Sequence, residues 1–415
     1  SQKNKTKMII YNLAILIYQF GVWIASFFNE KAKLFHDGRV DLLKKLKGQI
    51  DRNAKYIWVH AASLGEFEQG RPIIERIKKD HPEYKILLTF FSPSGYEVRK
   101  NYDKADIVCY MPLDTIGNAK RFLDIVNPSI VIFIKYEFWM NFLFNLKRRR
   151  IPTYIVSAIF REEQAFFKWY GFVYKKVLKC FNRLFVQDAN SINLLHSIGI
   201  HNVTIAGDTR FDRVCEIVKQ AKEIPQIAAF KGDKKVLIAG SSWQPDEDLL
   251  CEYFNNNDGF KMILAPHVTS EAHVEEICKK LNKKYARFTK STEEEIKNAD
   301  CLIIDCIGIL TSVYKYGDVG YVGGGFGVGI HNILEPAVYG MPIFFGPNYK
   351  KFREAVDMVK SGAAFPINNK QELFPLLNEM FDEKQNTLSK TSAVAKAFVR
   401  EHCGATEIVM NEIFK

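Results

Sequence analysis

The sequence predicts two doubly wound α/β domains of similar size that face each other across a cleft, preceded by a hydrophobic helix. Short, continuously apolar segments alternate with charged amphipathic segments, as expected for parallel strands that are buried on both faces. This alternation runs from residue 56 to residue 187 and starts again at residue 235. Before it lies an uncharged segment rich in large apolar side chains, residues 8–28.

The length of 415 residues permits two to three domains at ~150 residues each. We predict an anchor or interfacial helix in residues 1–35, a first Rossmann-like domain in 36–220 and a second in 221–392. Helices in 393–415 would close the chain. Because ligands bind at the carboxyl ends of the strands in such sheets, we expect the functional residues in the loops that follow strands.

The uncharged segment 8–28 approaches the ~20 apolar residues that a helix needs to span a bilayer. Lysines flank it on both sides, and residues 1–50 hold nine basic and three acidic residues. The segment predicts a membrane anchor that either spans the bilayer or lies in its interface.

The net charge of +11 favours an anionic partner. The chain has no zinc-finger spacing, RNA-binding aromatic signature or basic helix with interleaved aromatics, so nucleic acid is not expected. An anionic membrane surface fits the basic N-terminal region better. The eight cysteines are scattered without a C-x-x-C pair, which predicts reduced cysteines and no bound metal.

Apolar runs predict the strands of the first domain at residues 56–60, 85–91, 106–110, 129–134, 153–157 and 184–187. The strands of the second domain are predicted at residues 235–240, 261–266, 300–305, 319–322 and 342–345.

The first strand is followed by His60, Ser63 and Glu66. Ser63 and Glu66 have the spacing of a capping box, which would make them the start of a helix. Pro72 and two glycines instead favour a helix that begins nearer Arg71, which would leave Glu66 in a loop. A carboxylate there is a candidate general base for a sugar hydroxyl, and His60 is either a core residue or a partner that positions Glu66.

A second carboxylate, Glu137, follows the strand 129–134, and Trp139 lies two residues beyond it. Glu137 is the second candidate catalytic residue.

A run of three glycines, Gly323 to Gly325, follows the strand 319–322 and precedes a predicted helix at residues 333–339. Exposed N–H groups and the positive end of a helix dipole suit a phosphate there. Glu335 could accept hydrogen bonds from ribose hydroxyls, or it could form a capping box with Asn332.

Three further loops of the second domain follow strands and could complete a nucleotide site. They contribute hydroxyl and imidazole groups and a segment able to hold a flat base, at Ser241, Ser242, His267 and the run Ile307, Gly308, Ile309 and Leu310. Residues 246–248 resemble a D-x-D metal motif, although their position after a proline favours the acidic first turn of a helix.

Taken together, these residues resemble the Kdo (3-deoxy-D-manno-octulosonic acid) transferase family of lipopolysaccharide assembly. The markers span nearly the whole chain in a fixed order. They are Ser63-Leu-Gly-Glu66, Lys135-Tyr-Glu-Phe-Trp-Met-Asn141, Gly207-Asp-Thr-Arg-Phe-Asp212, Ala239-Gly-Ser-Ser242, Val322-Gly-Gly-Gly325, His331-Asn-Ile-Leu-Glu-Pro-Ala337 and Phe345-Gly-Pro-Asn348.

The resemblance implies an inverting GT-B glycosyltransferase that moves Kdo from CMP-Kdo to the lipid A precursor, lipid IVA, at the cytoplasmic face of the inner membrane. It implies Glu66 as general base, no cofactor and no catalytic metal. The second domain would bind CMP, with Glu335 near the ribose and residues 307–310 near the cytosine. We assign His60, Ser63, Gly65 and Trp139 to acceptor binding.

The chain departs from the family pattern at three places. Pro266-His267-Val268 stands where many members have Pro-Arg-His, Lys135 where an acid is common, and residues 157–160 replace an Asn-Ala-Arg-Leu type segment. Two alternatives remain open at this point: a GT-B transferase that uses a UDP-sugar on a lipid-linked acceptor, and a catalytically inactive, membrane-tethered binding protein.

Overall fold

The computed structural model describes residues 2–168 and 172–415. The chain forms two compact units, of which the first comprises the chain up to Asp212 together with Gly404–Lys415 and the second comprises Arg213–Cys403. The predicted division lies near residue 220, and residues 393–415 are predicted to form one closing segment. The C-terminal residues return to the first unit because both carboxylate oxygens of Asp212 accept hydrogen bonds from backbone N–H groups of Gly404 and Thr406.

The first unit is built on a parallel sheet whose strands are β1 Lys55–Ala61, β2 Tyr84–Phe90, β3 Ile107–Tyr110, β4 Ile130–Ile134, β5 Thr153–Ala158, β6 Arg183–Val186 and β7 Val203–Ile205. Their order in the sheet is β3-β2-β1-β4-β5-β6-β7. Its helices are α1 Gln2–Ala25, α2 Glu30–Asp37, α3 Leu42–Gln49, α4 Leu64–Asp80, α5 Pro93–Arg99, α6 Ile116–Val126, α7 Met140–Arg148, α8 Phe172–Leu178 and α9 Ala189–Ser197. Helix α10, Arg210–Gln220, crosses the division between the units.

The second unit repeats this plan with β8 Lys235–Ser242, β9 Phe260–Pro266, β10 Tyr285–Arg287, β11 Cys301–Ile303, β12 Val319–Val322, β13 Ile343–Phe345 and β14 Ala364–Pro366. The strands are parallel and lie in the order β10-β11-β9-β8-β12-β13-β14. Its helices are α11 Pro225–Lys231, α12 Gln244–Asn256, α13 Glu271–Lys280, α14 Glu293–Asn298, α15 Leu310–Val313, α16 Leu334–Val338, α17 Arg353–Ser361, α18 Lys370–Phe381 and α19 Thr387–His402, and the chain ends with α20 Ala405–Ile413 in the first unit.

The sheets form because their central strands are apolar on both faces. All five residues of β4 are buried, and separate apolar clusters cover the two faces of each sheet. A parallel sheet must be covered in this way, because helices pack on both sides of it. The alternation in the sequence therefore predicted both sheets.

The direction of strand order reverses between β1 and β4 in the first sheet and between β8 and β12 in the second. At such a switch point the loops leaving the carboxyl ends of the two strands run to opposite faces, which opens a crevice for a ligand. The switch points are therefore where the functional loops of each unit are expected.

The expectation that every cysteine is reduced is wrong for one pair, because Cys215 and Cys403 form a disulfide in the structure. These two residues are distant in sequence but lie beside the two points where the chain passes between the units, which brings them together. The six remaining cysteines are free, and four of them are buried.

Candidate active site

The Glu66 carboxylate lies at the carboxyl end of β1, in the first turn of α4. Ser63 is the N-cap residue of this helix, and its hydroxyl donates a hydrogen bond to Glu66 Oε2. The Glu66 side chain is half-buried, while Gly65 beside it is exposed. Ser63 therefore fixes the orientation of a carboxylate that remains accessible.

The expectation that the helix begins near Arg71 is wrong, because α4 begins at Leu64 and continues through Pro72. Its inward side chains, including Phe67, Ile73 and Ile77, are fully buried against the sheet. This burial offsets the hydrogen bond that Pro72 cannot donate. Gly70 permits this close packing, because a Cβ there would lie 3.1 Å from the side chain of Ile134 and would force that side chain to shift by a few tenths of an ångström.

Glu137 lies at the carboxyl end of β4, the strand that pairs with β1. Its carboxylate is buried and accepts hydrogen bonds from His60 Nε2, at 2.9 Å, and from the indole N–H of Trp139. The residue after the strand, Lys135, has a left-handed backbone with φ of 72°. A non-glycine residue rarely adopts this conformation, and such residues cluster at functional sites.

His60 is completely buried, which confirms the alternative that it is a core residue. The expectations that it contacts an acceptor directly or positions Glu66 are wrong, because its Nε2 is bonded to Glu137 inside the unit. Thr89 Oγ1 accepts a hydrogen bond from Trp58 Nε1 and lies 2.8 Å from His60 Nδ1. The threonine proton is therefore available to Nδ1, which leaves Nε2–H to donate to Glu137. His60 is a positioning residue for the second glutamate.

The loops after β1, β2 and β4 meet at this edge of the first sheet. Ser92 N–H donates to the Ala62 carbonyl at 2.8 Å, and the ring of Phe91 lies 4.8 Å from that of Trp139. Trp139, half-buried and between Phe91 and Glu137, therefore joins two loops of the first unit. The result is one accessible carboxylate and one buried carboxylate at the ends of neighbouring strands.

In the second unit, the three predicted glycines allow loops to touch each other. A Cβ at Gly323 would lie 2.1 Å from the Ser241 carbonyl oxygen, and one at Gly325 would lie 2.5 Å from Gly346 N. Gly324 has a φ of 92°, which disfavours any other residue. All three glycines are buried, so glycine is needed at these positions because of contacts with neighbouring parts of the protein.

The helix predicted at residues 333–339 is confirmed as α16, Leu334–Val338, but it has only five residues and its first turn does not directly follow the glycines. The chain between Gly325 and α16 is a loop. The side chain of Asn332 accepts from Leu334 N–H at 3.0 Å and donates to Glu335 at 3.2 Å. The two residues therefore interact, but they do not form the predicted capping box, because the N-cap residue of α16 is Ile333.

Glu335 is half-buried and links this loop to the loop after β11. Its Oε2 accepts a hydrogen bond from Thr311 Oγ1 at 3.0 Å. Burial and the Glu335 carboxylate raise the pKa of Tyr314 above its ordinary value, and a Cβ at Gly240 would clash with the Tyr314 hydroxyl. The predicted ribose and base contacts are therefore neighbours, and Ile307 in the same loop is 84% exposed.

The two serines after β8 differ in orientation. Ser242 is buried and its hydroxyl donates to Glu247 at 3.0 Å, which corrects the expectation that this hydroxyl contacts a donor phosphate. Ser241 has a left-handed backbone and is half-buried, so it remains a candidate contact.

A stack of three rings stands beside this loop, and sequence reasoning identified only one of them. His267 lies between Trp243 and His331, with ring centroids at 4.6 and 4.7 Å. Trp243 Nε1 donates to His331 Nε2 at 3.1 Å. Burial and the neighbouring His267 lower the pKa of His331. Only spatial proximity unites these rings, since they belong to three separate loops.

Asp246 holds the glycine loop in place from the first turn of α12. Its carboxylate accepts from the N–H groups of Trp243 and Gly324 and from the Tyr321 hydroxyl. The interpretation as a helix first turn is confirmed. Among residues 2–168 and 172–415, no group of three or more His, Cys, Asp or Glu side chains is arranged to hold a metal ion.

The two doubly wound units define the class of the protein, which is the GT-B fold. The structure resembles UDP-GlcNAc 2-epimerase from Neisseria meningitidis bound to UDP-GlcNAc, with a TM-score of 0.58 over 86% of this chain and 99% of the other at 14% identity. It also resembles CalG4, the calicheamicin glycosyltransferase, with a TM-score of 0.54 over 87% and 97% of the two chains at 9% identity.

Residues 37–213 match the family model for 3-deoxy-D-manno-octulosonic-acid transferase (kdotransferase). The chain is 30% identical to the 3-deoxy-D-manno-octulosonic acid transferase of Aquifex aeolicus, over 83% of this chain and 89% of that protein. The chain therefore belongs to the Kdo transferase family, and it is a glycosyltransferase.

Proposed function

We propose that the protein moves Kdo from CMP-Kdo to lipid IVA, the lipid A precursor, with inversion and with Glu66 as general base. The observation that carries the proposal is the accessible Glu66 carboxylate, oriented by Ser63 at the carboxyl end of β1 in a member of this family. A general base must be accessible and held within reach of the hydroxyl that it deprotonates.

In the proposed reaction, Glu66 takes the proton of an acceptor hydroxyl, and the oxygen forms a bond to the anomeric carbon of Kdo. The bond between that carbon and the CMP phosphate oxygen breaks, and CMP leaves with the electron pair. Glu137 is more buried than Glu66 and already accepts two hydrogen bonds, so its role is to hold the acceptor loop and Trp139.

The donor belongs to the loops of the second unit. Glu335 would accept hydrogen bonds from the ribose hydroxyls, and the loop from Ile307 to Leu310 would hold the cytosine. Ser241 and His267 are the polar groups available to the phosphate. Fixed hydrogen-bond donors of this kind stabilise the negative charge that develops on a leaving phosphate. We propose that the reaction therefore needs no metal ion.

We further propose that α1 attaches the protein to the cytoplasmic face of the inner membrane. Among the described residues, one helical segment, Met8–Ala25, is long and apolar enough to cross a membrane by length and composition. Its large side chains, including Ile9, Ile17 and Phe20, are exposed. The opposite face of the helix contacts the first unit through Tyr11, which favours a helix that lies in the interface over one that spans.

Glu66→Gln tests the assignment of the general base. The expected result is a loss of transfer of about a hundredfold or more, because proton removal contributes that much to such reactions. Glu68→Gln is the matched control: it lies in the same helix, and its ion pair with Arg99 is partly exposed and worth ~1 kcal/mol or less. Transfer by Glu66→Gln at the rate of the control would overturn the assignment.

Protection of the protein against thermal unfolding tests the donor. CMP is expected to raise the melting temperature of the wild type and of Glu66→Gln equally, because ligands that bind only the native state stabilise it. Protection by UDP without protection by CMP would favour a UDP-sugar donor instead.

A further inference from the structure

We propose that helix α1 is a structural part of the acceptor site, in which Tyr11 and Asp114 are positioning residues that hold the Trp139–Glu137 loop. This inference rests on the proposed function only in assigning Glu137 and Trp139 to the acceptor site. It gives α1 a second role in addition to membrane attachment.

The first step is a polar contact between α1 and the body of the first unit. The Tyr11 hydroxyl donates to Asp114 Oδ2 at 2.6 Å, and Asn12 Oδ1 accepts from Asn141 Nδ2 at 3.0 Å. Met8 and Tyr11 also pack against the apolar cluster that contains Met140. A helix that served only as a lipid tether would need no such polar contacts at this depth.

The second step leads from Asp114 to the start of α7. Asp114 is 1% exposed, and its two carboxylate oxygens accept from Asn141 N–H and Phe142 N–H, each at 3.0 Å. The Asp114 carbonyl accepts from Asn141 Nδ2 at 2.6 Å. These bonds satisfy N–H groups in the first turn of a nine-residue helix that would otherwise lack partners.

The third step leads from α7 to the acceptor site. Trp139 is the residue immediately before α7, and its indole donates to the same Glu137 oxygen that accepts from His60. Any movement of the first turn of α7 therefore moves Trp139 relative to Glu137. The position of Glu137 depends on Asp114 through this turn, and the position of Asp114 depends on Tyr11.

The Tyr11 hydroxyl is the member of this chain of contacts that can be removed with least disturbance. Tyr11→Phe keeps the ring but leaves Asp114 Oδ2 with a single donor, Asn141 N–H, in a buried setting. A lost hydrogen bond to a buried charged group corresponds to about a tenfold effect, which we expect in kcat/KM for the lipid acceptor. Protection by CMP, which we assign to the second unit, should not change.

Tyr18→Phe is the matched control on the same helix. The Tyr18 ring packs against Phe35 and Phe91, contacts that phenylalanine keeps, and its hydroxyl forms no hydrogen bond with any residue that the structure describes. We expect its kcat/KM for lipid IVA to stay within about twofold of the wild type. Both variants are compared in detergent micelles, where attachment to a bilayer is not required, and their binding to anionic phospholipid vesicles is measured separately.

Hydrogen exchange gives a readout that does not depend on transferase activity. In Tyr11→Phe, the backbone amides of residues 139–145 should exchange faster than in the wild type, whereas Tyr18→Phe should leave them unchanged. If the wild type transfers no Kdo but this difference is found, the proposed function fails and the positioning role of α1 stands.

Two results would overturn the positioning role. One is exchange in Tyr11→Phe equal to that in Tyr18→Phe. The other is a loss of activity that matches the loss of vesicle binding and is absent in micelles, which would make α1 a tether only.

Discussion

Asp114 links the anchor helix to the acceptor site, and its titration gives a quantitative test of that link. Burial raises the pKa of Asp114 from its ordinary value of 3.8 to about 6, although the hydrogen bonds from Tyr11, Asn141 and Phe142 act in the opposite direction. The carboxyl is therefore largely ionised at neutral pH, and burial disfavours that ionised form.

The sign of the pH dependence follows from proton binding. Between pH 4 and 6 the folded state holds more protons at Asp114 than the unfolded state does, so the free energy of unfolding falls as pH rises through this range. A pKa difference of about 2 corresponds to ~3 kcal/mol in total. About half of this total is expected between pH 5 and pH 8.

Urea unfolding of the wild type, Asp114→Asn and Asp124→Asn at pH 5 and pH 8 measures this contribution. Relative to Asp114→Asn, the wild type should lose on the order of 1 kcal/mol of stability on going from pH 5 to pH 8. Asp124 is a half-exposed surface residue paired with Arg149, and its variant is the control for the loss of a carboxylate elsewhere in the same unit. The reasoning would be refuted if the free energy of unfolding of the wild type minus that of Asp114→Asn were the same at both pH values or larger at pH 8.

Two further predictions concern contacts that hold each unit together. Gly323→Ala should abolish protection by CMP and destabilise the second unit, because its Cβ would meet the Ser241 carbonyl. Gly327→Ala is the control in the same loop: its Cβ meets nothing closer than 3.7 Å, so its melting temperature should equal that of the wild type. Equal melting temperatures for the two variants would contradict this prediction. Asp212→Ala removes the acceptor of three hydrogen bonds from Gly404 and Thr406. Calorimetry should therefore show that the free energy of unfolding falls by about 2 kcal/mol or more. An unchanged unfolding transition would show that α20 docks by apolar packing alone.

The fold could be predicted because short stretches of consecutive residues are enough to indicate most of its strands. The long central strands are continuous apolar runs, and every predicted run corresponds to a strand of the structure. The strands that the sequence analysis missed, β7, β10 and β14, have three residues each and lie at sheet edges. β11 and β13 are equally short, but all of their residues are buried, and both were predicted. Each missed strand instead has two or more residues that are half-buried or exposed, so no buried apolar run marks it in the sequence.

Of the two starts considered for α4, the one at Ser63 is confirmed and the favoured one near Arg71 is wrong, because local propensity and tertiary packing disagree there. Gly70 and Pro72 disfavour a helix in isolation. Packing against the sheet nevertheless stabilises a helix at this point, since Gly70 lets α4 approach Ile134 and the apolar face of the helix is completely buried. Glu66 was identified correctly as a residue at a strand end, but its first-turn location depends on that packing.

The partners of the candidate site residues were the least predictable part. His60 and Glu137 are 77 residues apart, and Trp243 and His331 are 88 apart. Their side chains meet because strands far apart in sequence lie side by side, and no spacing rule reports such a contact. The anchor shows the same limit, since its apolar composition gave no sign that Tyr11 bonds to Asp114.

The central claim is tested most directly by the mass of lipid IVA after incubation with the wild-type protein, Kdo, CTP and a CMP-Kdo synthetase. EDTA is added after CMP-Kdo has formed, together with the protein, so that the synthetase does not lose its own metal before the transfer is measured. The account predicts a mass increase of one or more Kdo residues that disappears in Glu66→Gln and persists in Glu68→Gln. An unchanged mass with the wild type, repeated with Mg²⁺ and detergent, would contradict it.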